Sequence, residues 1–383
     1  MFDRVKDVGH PNEEMLSVYR EYGVIKKSSR DDNTNQAAED RNIYQLVDNM
    51  WFVVNRMKAW QGSVGIAPTR GIVSGHYLCF RPRHREDSRF LNWLLRSNVY
   101  ATEYLRMSRG VRPGQIEIDN DELRGLRIAL PPIDEQRRIA DFLDDEIGKL
   151  RALGSLHARM LTLGEARVDS KIRSLIEDSG LVVASGGSRI APIRRILCKL
   201  DRPTIPTPEV VTAFRDGQVT ARSTRRVDGF TESASSEPQG QGVIVGDVVV
   251  HGLDGFAGAI GDAEASGNCS AVYHVCRPID QGDPAFWGRV LRILAVDGYL
   301  SLYGSSARER AVDFRNWDRF GSVPILRASF ATQRAIGDTI RGLRPLRARV
   351  SQMNDLLAER RQALITAAVT GQIDVSTARG VAV

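Results

Sequence analysis

Two hydrophobic patterns alternate along the chain. Short β-type runs, such as residues 51–54 and 243–250, lie among glycines and prolines and predict strands of a mixed α/β globule. After Pro131 and Pro132, and again after Pro324, the pattern changes to long segments rich in Leu, Arg, Glu and Ala, which predict helices. The predicted order is therefore globule, helix, globule, helix.

The second predicted helix has hydrophobic residues seven positions apart, which is the spacing of a coiled-coil seam. These residues are Ile336, Leu343, Val350, Leu357 and Leu364. The first predicted helix has a similar set, formed by Ile139, Leu143, Ile147, Leu150 and Leu153. Pro345 should kink or interrupt the second helix, because proline removes a backbone donor. An amphipathic helix lying on its own globule is the alternative for each segment, but two such helices at matching places favour an antiparallel coiled coil.

The chain also contains an internal repeat. Residues 17–24 align with 212–219 at a shift of 195, and residues 55–82 align with 251–278 at a shift of 196 without a gap. A third block matches Gln136 and Ile139 with Gln333 and Ile336 at a shift of 197. Three blocks in one order at nearly one shift indicate a duplication. The expected fold class is α+β, with two mixed α/β globules, each followed by a long helix, in a pseudo-two-fold repeat.

These patterns divide the chain into four segments. The expected boundaries are 1–129 for the first globule, 130–179 for the first helix, 180–322 for the second globule and 323–376 for the second helix. The Ser-Gly-Gly-Ser stretch at residues 185–188 is expected to be a flexible boundary. The counterpart of residues 190–197 in the first copy would lie almost wholly before Met1. Either the true start lies further upstream or the first globule lacks its opening strand.

Composition and charge narrow the class of protein. The 383 residues, 42% of them hydrophobic, suffice for two domains with cores. A net charge of +6 and a pI near 9.2 favour a polyanionic partner, because clustered Lys and Arg displace counterions from phosphate. The scattered Cys79, Cys198, Cys269 and Cys276 indicate a reduced protein. Without a signal-peptide pattern or a run of about 18 apolar residues, we expect a soluble, cytoplasmic protein with no membrane partner.

Motifs of enzymes that act on DNA are absent from the sequence. There is no Asn/Asp-Pro-Pro-aromatic element of an amino-methyltransferase and no GxxxxGK[ST] element of an ATPase. Cys269, His274 and Cys276 suggest metal ligands, but their counterparts in the first copy are apolar, which favours buried structural cysteines. The glycine elements at 62–65 and 258–261 fit tight turns better than phosphate loops. We therefore expect no catalytic residue, no metal and no cofactor.

Two stretches carry a family resemblance. They are LPPIDEQRRIADFLD at residues 130–144 and RQALITAAVTGQID at residues 361–374. They resemble the central conserved region and the closing helix of type I restriction specificity subunits, and the repeat layout covers nearly the whole chain. The resemblance implies the non-catalytic DNA sequence-specificity subunit of a type I restriction-modification complex.

The resemblance also implies how such a subunit works and what it binds. Each of two target-recognition domains would read one half of a split site in double-stranded DNA. The two helices would set the gap between the halves. They would also dock two methyltransferase (modification) subunits, which two restriction (motor-nuclease) subunits join. A free-standing DNA-binding structural or regulatory protein is the alternative, and a neighbouring methyltransferase gene would distinguish the two.

DNA-reading residues are expected on loops of the globules, because Arg and Lys suit guanine or phosphate, whereas Asn and Gln suit adenine. In the first globule the candidates are Arg20, Lys26, Lys27, Arg30, Arg56, Lys58 and Gln61. In the second globule they are Arg215, Arg222, Arg225 and Arg226. For each the alternative is a solvated surface charge, and Arg20 and Arg215, each followed by an acid, are alternatively structural ion pairs.

The first turns of the two predicted helices carry another set of candidates at equivalent places. This set is Gln136, Arg137, Arg138, Gln333 and Arg334. We expect these residues to fix the helix pair or to dock a methyltransferase subunit. A solvated first turn is the alternative.

Overall fold

A computed structural model describes residues 1–29, 40–112, 115–181, 190–207, 209–225, 240–308 and 311–375. The chain forms two compact units. The first unit combines Met1–Leu156 with Gln352–Val383, and the second unit is His157–Ser351. Each unit therefore contains one predicted globule and a part of each predicted helix. The four domain segments expected from the sequence stay a prediction.

The first unit is built mainly from short antiparallel strands. The strands are β1 (Phe2–Val5), β2 (Leu16–Tyr19), β3 (Gly23–Lys26), β4 (Gln45–Val47), β5 (Phe52–Asn55), β6 (Val64–Ile66), β7 (Gly71–Val73), β8 (Tyr77–Pro82), β9 (Ser108–Arg112) and β10 (Gln115–Ile118). The largest sheet has the order β1-β8-β5-β6, and smaller sheets pair β2 with β3, β4 with β7 and β9 with β10. The apolar run of β5 is buried, which is the behaviour expected of a short continuous hydrophobic segment.

Helices complete the first unit. They are α1 (Ser88–Leu95), α2 (Asn98–Arg106), α3 (Asn120–Arg124) and the beginning of α4 (Ile133–Asp178). Asp87 caps α1, because its carboxylate accepts hydrogen bonds from the backbone N–H groups of Arg89 and Phe90.

The second unit has the same kind of construction. Its strands are β11 (Ile190–Pro192), β12 (Leu197–Lys199), β13 (Val211–Ala213), β14 (Val219–Ala221), β15 (Gln241–Val243), β16 (Val248–His251), β17 (Ile260–Asp262), β18 (Gly267–Cys269), β19 (Tyr273–Pro278), β20 (Ser305–Arg308), β21 (Ala311–Asp313) and β22 (Pro324–Leu326). The largest sheet has the order β12-β19-β16-β17. The helices are the last part of α4, α5 (Pro284–Val296), α6 (Trp317–Phe320) and the first part of α7 (Phe330–Val369), whose last part belongs to the first unit.

The largest sheets of the two units pair their strands in corresponding registers. Val53 lies opposite Cys79 in the first, and Val249 lies opposite Val275 in the second, each 196 residues later. β1 pairs with β8 as β12 pairs with β19. β11 pairs with β22, and the described residues of the first unit contain no counterpart of β11.

Both long helices contribute to both cores. Ile139 and Leu143 of α4 lie in one core cluster with Ile365 of α7, and Ile172 of α4 lies in another with Ile336 of α7. The predicted mixed α/β fold with long helices is confirmed. The prediction that Pro345 interrupts the helix is wrong, because α7 continues through it, whereas the alternative of a kink stays a prediction. No helix within the described ranges is long and apolar enough to cross a membrane.

Candidate nucleic-acid interface

The turn between β2 and β3 carries the first predicted DNA-binding residue. Arg20 is exposed there, and Gly23 ends the turn with a φ of +72°. The carbonyl oxygen of Arg20 accepts a hydrogen bond of 2.8 Å from Nη2 of Arg96. The structure gives Arg20 no ion pair with a carboxylate of the described chain, so its charge is directed to solvent.

Three further candidates follow this turn. Nζ of Lys26 lies 2.6 Å from Oε2 of Glu14, and the hydrogen bond from Lys26 lowers the pKa of Glu14. Lys27 begins a short 3-10 turn, Lys27–Ser29. Arg30 lies outside the described residues. Lys26 is therefore partly neutralised, as a structural surface charge would be.

The loop after β5 carries Arg56, Lys58 and Gln61. Nη2 of Arg56 pairs with Oε2 of Glu117 at 2.7 Å, whereas Lys58 and Gln61 are exposed. Gly62 closes the 3-10 turn Ala59–Gln61 with a φ of +82°, a conformation that glycine adopts readily. The glycine element is thus a tight turn, which places Lys58 and Gln61 on the surface.

The second unit's candidates have partners in their own unit. Arg215 pairs with Asp254 at 3.0 Å, and Nε of Arg222 donates to Oγ1 of Thr212 at 3.2 Å. Arg225 pairs with an acid, Asp216, at 2.8 Å and lies over the ring of Phe214. Arg226 lies outside the described residues. For Arg215 the ion-pair alternative applies, although its partner is distant in sequence and is not the adjacent acid.

Gln136 and Gln333 are buried and make equivalent hydrogen bonds. Oε1 of Gln136 accepts from the N–H of Asp87 at 3.1 Å, and its Nε2 donates to the carbonyl of Pro131 at 2.9 Å. Gln333 accepts from the N–H of Asp283 at 3.0 Å and donates to the carbonyl of Ala328 at 2.8 Å. Both amides therefore tie the beginning of a long helix to the globule beside it.

The other three helix-start candidates are on the surface. Arg137 pairs with Asp134 one turn earlier at 3.4 Å, and Arg138 and Arg334 are exposed. Docking of a methyltransferase subunit stays a prediction for the set. Because Gln136 and Gln333 are buried, only the three arginines are accessible to a partner in this conformation.

α4 also exposes four apolar side chains, which we call the apolar stripe. The stripe is Leu153, Leu156, Met160 and Leu163. Residues three and four apart share one side of a helix, so these side chains are neighbours. Exposed apolar surface of this kind is typical of protein interaction sites.

Cys269, His274 and Cys276 lie on β18 and β19. Burial raises the pKa of Cys269 to about 12 and raises that of Cys276 as well. A ring nitrogen of His274, Nε2, lies 2.6 Å from the carbonyl oxygen of Phe314. Within the described ranges no group of three or more His, Cys, Asp or Glu residues is arranged to hold a metal ion.

A family model described as the type I restriction modification DNA specificity domain matches residues 4–152. Residues 4–152 are thus similar to the DNA specificity domain of type I restriction-modification systems. The match includes residues 130–144, the first of the two stretches that carry the resemblance in the sequence. The matched residues contain the turn with Arg20, the loop with Lys58 and Gln61, and the beginning of α4. No curated protein matches the chain significantly.

Solved structures resemble the chain over nearly its full length. One, reported for the structural basis of complex assembly and conformational transition of the type I R-M system, is 15% identical with a TM-score of 0.57, covering 97% of this chain and 98% of that one. The HsdS subunit from Thermoanaerobacter tengcongensis is 15% identical, with a TM-score of 0.40 and coverage of 97% and 94%. The S subunit from M. genitalium is 16% identical, with a TM-score of 0.43 and coverage of 96% and 93%.

Proposed function

We propose that the chain is the DNA sequence-specificity subunit of a type I restriction-modification complex and catalyses no reaction itself. The match of residues 4–152 to the DNA specificity domain carries this proposal. The resemblance of nearly the whole chain to a solved structure of a type I system supports it at the level of the fold. Methylation, ATP hydrolysis and DNA cleavage would belong to partner subunits.

Each unit would read one half of a split DNA site, because the sequence predicts an internal duplication. Equivalent hydrogen bonds support this duplication. Nε2 of Gln45 donates to the carbonyl of Tyr77 at 2.7 Å, and Nε2 of Gln241 donates to that of Tyr273 at 2.7 Å. Both members of the second pair lie 196 residues after those of the first. Most strands of the second unit likewise begin 196 residues after a strand of the first unit.

The two long helices would pair as an antiparallel coiled coil and so set the gap between the half-sites. Contacts in opposite order along the two helices support this pairing. A methyl group added to Gly154 would lie 3.7 Å from Cδ1 of Leu357, and Glu165, further along α4, pairs at 2.8 Å with Arg347, earlier in α7. Residues buried at the ends of both helices follow the same order.

DNA contacts would come from the exposed basic and amide side chains of the candidate set. In the first unit, Arg20, Lys58 and Gln61 are the exposed candidates without a described ion pair. In the second unit, Arg215, Arg222 and Arg225 would have to exchange an internal partner for DNA. Two methyltransferase subunits would dock on the helices, with the apolar stripe of α4 as the main contact and Arg137, Arg138 and Arg334 at the helix starts. Two motor-nuclease subunits would join this core.

Genome-wide mapping of modified adenines tests the function. The chain is co-expressed with the methyltransferase subunit of the neighbouring gene, and the modified positions are determined by single-molecule sequencing. The proposal predicts a split motif, with two short defined halves around a fixed unspecified gap, that disappears when this gene is deleted. A modification pattern that survives the deletion would contradict it.

A further inference from the structure

Four arginines surround the turn between β2 and β3 in the first unit. We call Arg20, Arg96, Arg151 and Arg361 the arginine cluster. Arg96 donates to the carbonyl of Arg20 at 2.8 Å, whereas Arg151, at 3.4 Å, and Arg361 both donate to the carbonyl of Glu21. Arg151 also lies over the ring of Tyr22, with 5.7 Å between the guanidinium carbon and the ring centroid. The cluster therefore brings guanidinium groups from the turn, from α4, from α7 and from the end of α1 to one place.

The cluster is not neutralised within the described chain. None of its four members forms an ion pair with a described carboxylate. Glu21 is near enough to raise the pKa of Arg96 and of Arg361, but burial and the neighbouring arginines lower both more strongly. Arg96 is only 9% exposed, and its Nε and that of Arg361 have no described hydrogen-bond partner. Burial, then repulsion from Arg361 and Arg151, lowers the pKa of Arg96 to about 9. An added anion would relieve this repulsion, since opposite charge favours the charged form.

The equivalent place in the second unit is neutralised. At the shift of 196 residues, Arg151 corresponds to Arg347 and Arg361 corresponds to Glu165. The two arginines of the first unit therefore correspond to an ion pair, in which Nη2 of Arg347 lies 2.8 Å from Oε1 of Glu165. Arg215, the counterpart of Arg20, pairs with Asp254 at 3.0 Å. Two differences, Arg361 in place of Glu165 and Lys58 in place of Asp254, therefore distinguish the arginine cluster from the paired arginines of the second unit.

We propose that the arginine cluster binds a phosphate of the DNA backbone, and that the second unit has no such site. This inference rests on the proposed function. The planar guanidinium group matches phosphate oxygens in a two-pronged geometry, and Arg20 and Arg151 expose theirs to solvent. The cluster adjoins the loop of the exposed DNA-binding candidates, because a methyl group at Gly62 would lie 4.0 Å from Cγ of Arg20. DNA held there would be anchored through the first unit without regard to base sequence.

Reciprocal charge exchanges test the site. Arg361→Glu places the glutamate of the second unit in the first. Glu165→Arg together with Asp254→Lys places the arginine and lysine of the first unit in the second. The full chain, bound to its methyltransferase subunits, is titrated at several salt concentrations with a duplex that lacks the recognised motif. The slope of log K against log salt should become less steep by about 0.9 for each phosphate that the protein no longer neutralises. Arg361→Glu should show this decrease, and the double substitution Glu165→Arg with Asp254→Lys should show an increase of similar size.

Arg20→Ala is a second test in case either exchange disturbs the fold. The described hydrogen bond of Arg20 in the cluster is made by its backbone carbonyl, which this substitution keeps. It should weaken binding to every duplex about tenfold at low salt and reduce the slope. Arg173→Ala, which removes an arginine already paired with Asp297 at 2.8 Å, is the matched control and should leave the slope unchanged.

Slopes equal to that of the unaltered complex for both Arg361→Glu and Arg20→Ala would overturn the phosphate site. Intact DNA binding with weakened assembly of the methyltransferase subunits would also overturn it, in favour of an acidic protein partner. Neither result affects the proposed function, which fails only if the unaltered complex does not determine the modified motif.

Discussion

Asp247 is a carboxylate without exposed surface in the second unit. It accepts hydrogen bonds from Arg202, from Nε of Arg277 at 3.0 Å and from the N–H of Ile244 at 2.9 Å. Asp247→Ala would leave two arginines without their partner, and we expect it to destabilise the unit by about 3 kcal/mol, as measured by urea unfolding. The counterpart of this aspartate in the first copy is Trp51, so the repeat gave no indication of the network.

Asp254→Ala is the control for this substitution. It removes an acid from a pair with Arg215 in which both side chains are largely exposed, 69% for the arginine and 43% for the acid. Exposed pairs are screened by solvent, so the loss should be below about 1 kcal/mol. Equal losses for the two substitutions would show that burial does not set the strength of these pairs.

His274 should make the second unit sensitive to acid. Burial lowers its pKa, and the hydrogen bond to the carbonyl of Phe314 only partly opposes this. Because the pKa of this histidine is higher in the unfolded chain, the unfolded chain takes up the proton first as the pH falls. The free energy of unfolding is therefore highest above about pH 6.5, the pKa of an unfolded histidine, and it declines until the pH is below the lower pKa of the folded state. Urea midpoints at about pH 7.5 and about pH 5.5 measure the decline.

His274→Leu places the residue of the equivalent first-copy position, Leu78, in the second unit. This variant should lose part of the difference between the two midpoints, whereas His76→Asn, at an exposed position, should retain it. If His274→Leu keeps the full difference, another group is responsible for it.

At the scale of single elements, Gln136 and Gln333 connect each long helix to its globule. Gln136→Ala would leave the N–H of Asp87 and the carbonyl of Pro131 without these partners, which we expect to cost about 2 kcal/mol in urea unfolding. Gln333→Ala should cost about the same for the second unit. Arg137→Ala, at the adjacent exposed position, should change stability by less than about 0.5 kcal/mol.

The sequence predicted the elements better than it predicted the roles of these glutamines. Strands, helices and the alternating order follow from local patterns of hydrophobic residues, which act within a few positions. The buried amide of Gln136 bonds to Asp87, 49 residues earlier, and no local pattern reveals such a partner. Pro345 shows the opposite case. Proline is a strong local indication that a helix ends, yet α7 continues through this residue.

At the scale of the whole molecule, the apolar stripe of α4 predicts dependence on a partner. Met160→Lys together with Leu163→Lys should prevent co-purification with the methyltransferase subunit and should leave the urea midpoint of the isolated chain nearly unchanged, because both side chains are exposed. Thr162→Lys adds a charge to another exposed face of the same helix and should not affect assembly. Loss of assembly by Thr162→Lys as well would mean that added charge alone disrupts the complex.

The predicted repeat was visible in the sequence, but the difference in ion pairing between its two copies was not. Arg151, Arg361, Glu165 and Arg347 occur at equivalent places, yet only the folded chain brings each pair together from helices that are far apart in sequence. Arg20 was therefore identified as a single candidate, and the cluster around it was missed. Comparing charges between copies becomes informative once the register of the helices is known.

The composition of the first unit has a consequence for how the protein is made. Its core includes Ile365 and Ala368, which leave the ribosome after the whole of the second unit, beside Ile139 and Leu143, which leave it before that unit. All residues of the second unit lie between these points, so that unit can finish folding while the first still waits for its closing helix. We therefore expect the second unit to reach its folded state before the first, although synthesis of the first begins earlier.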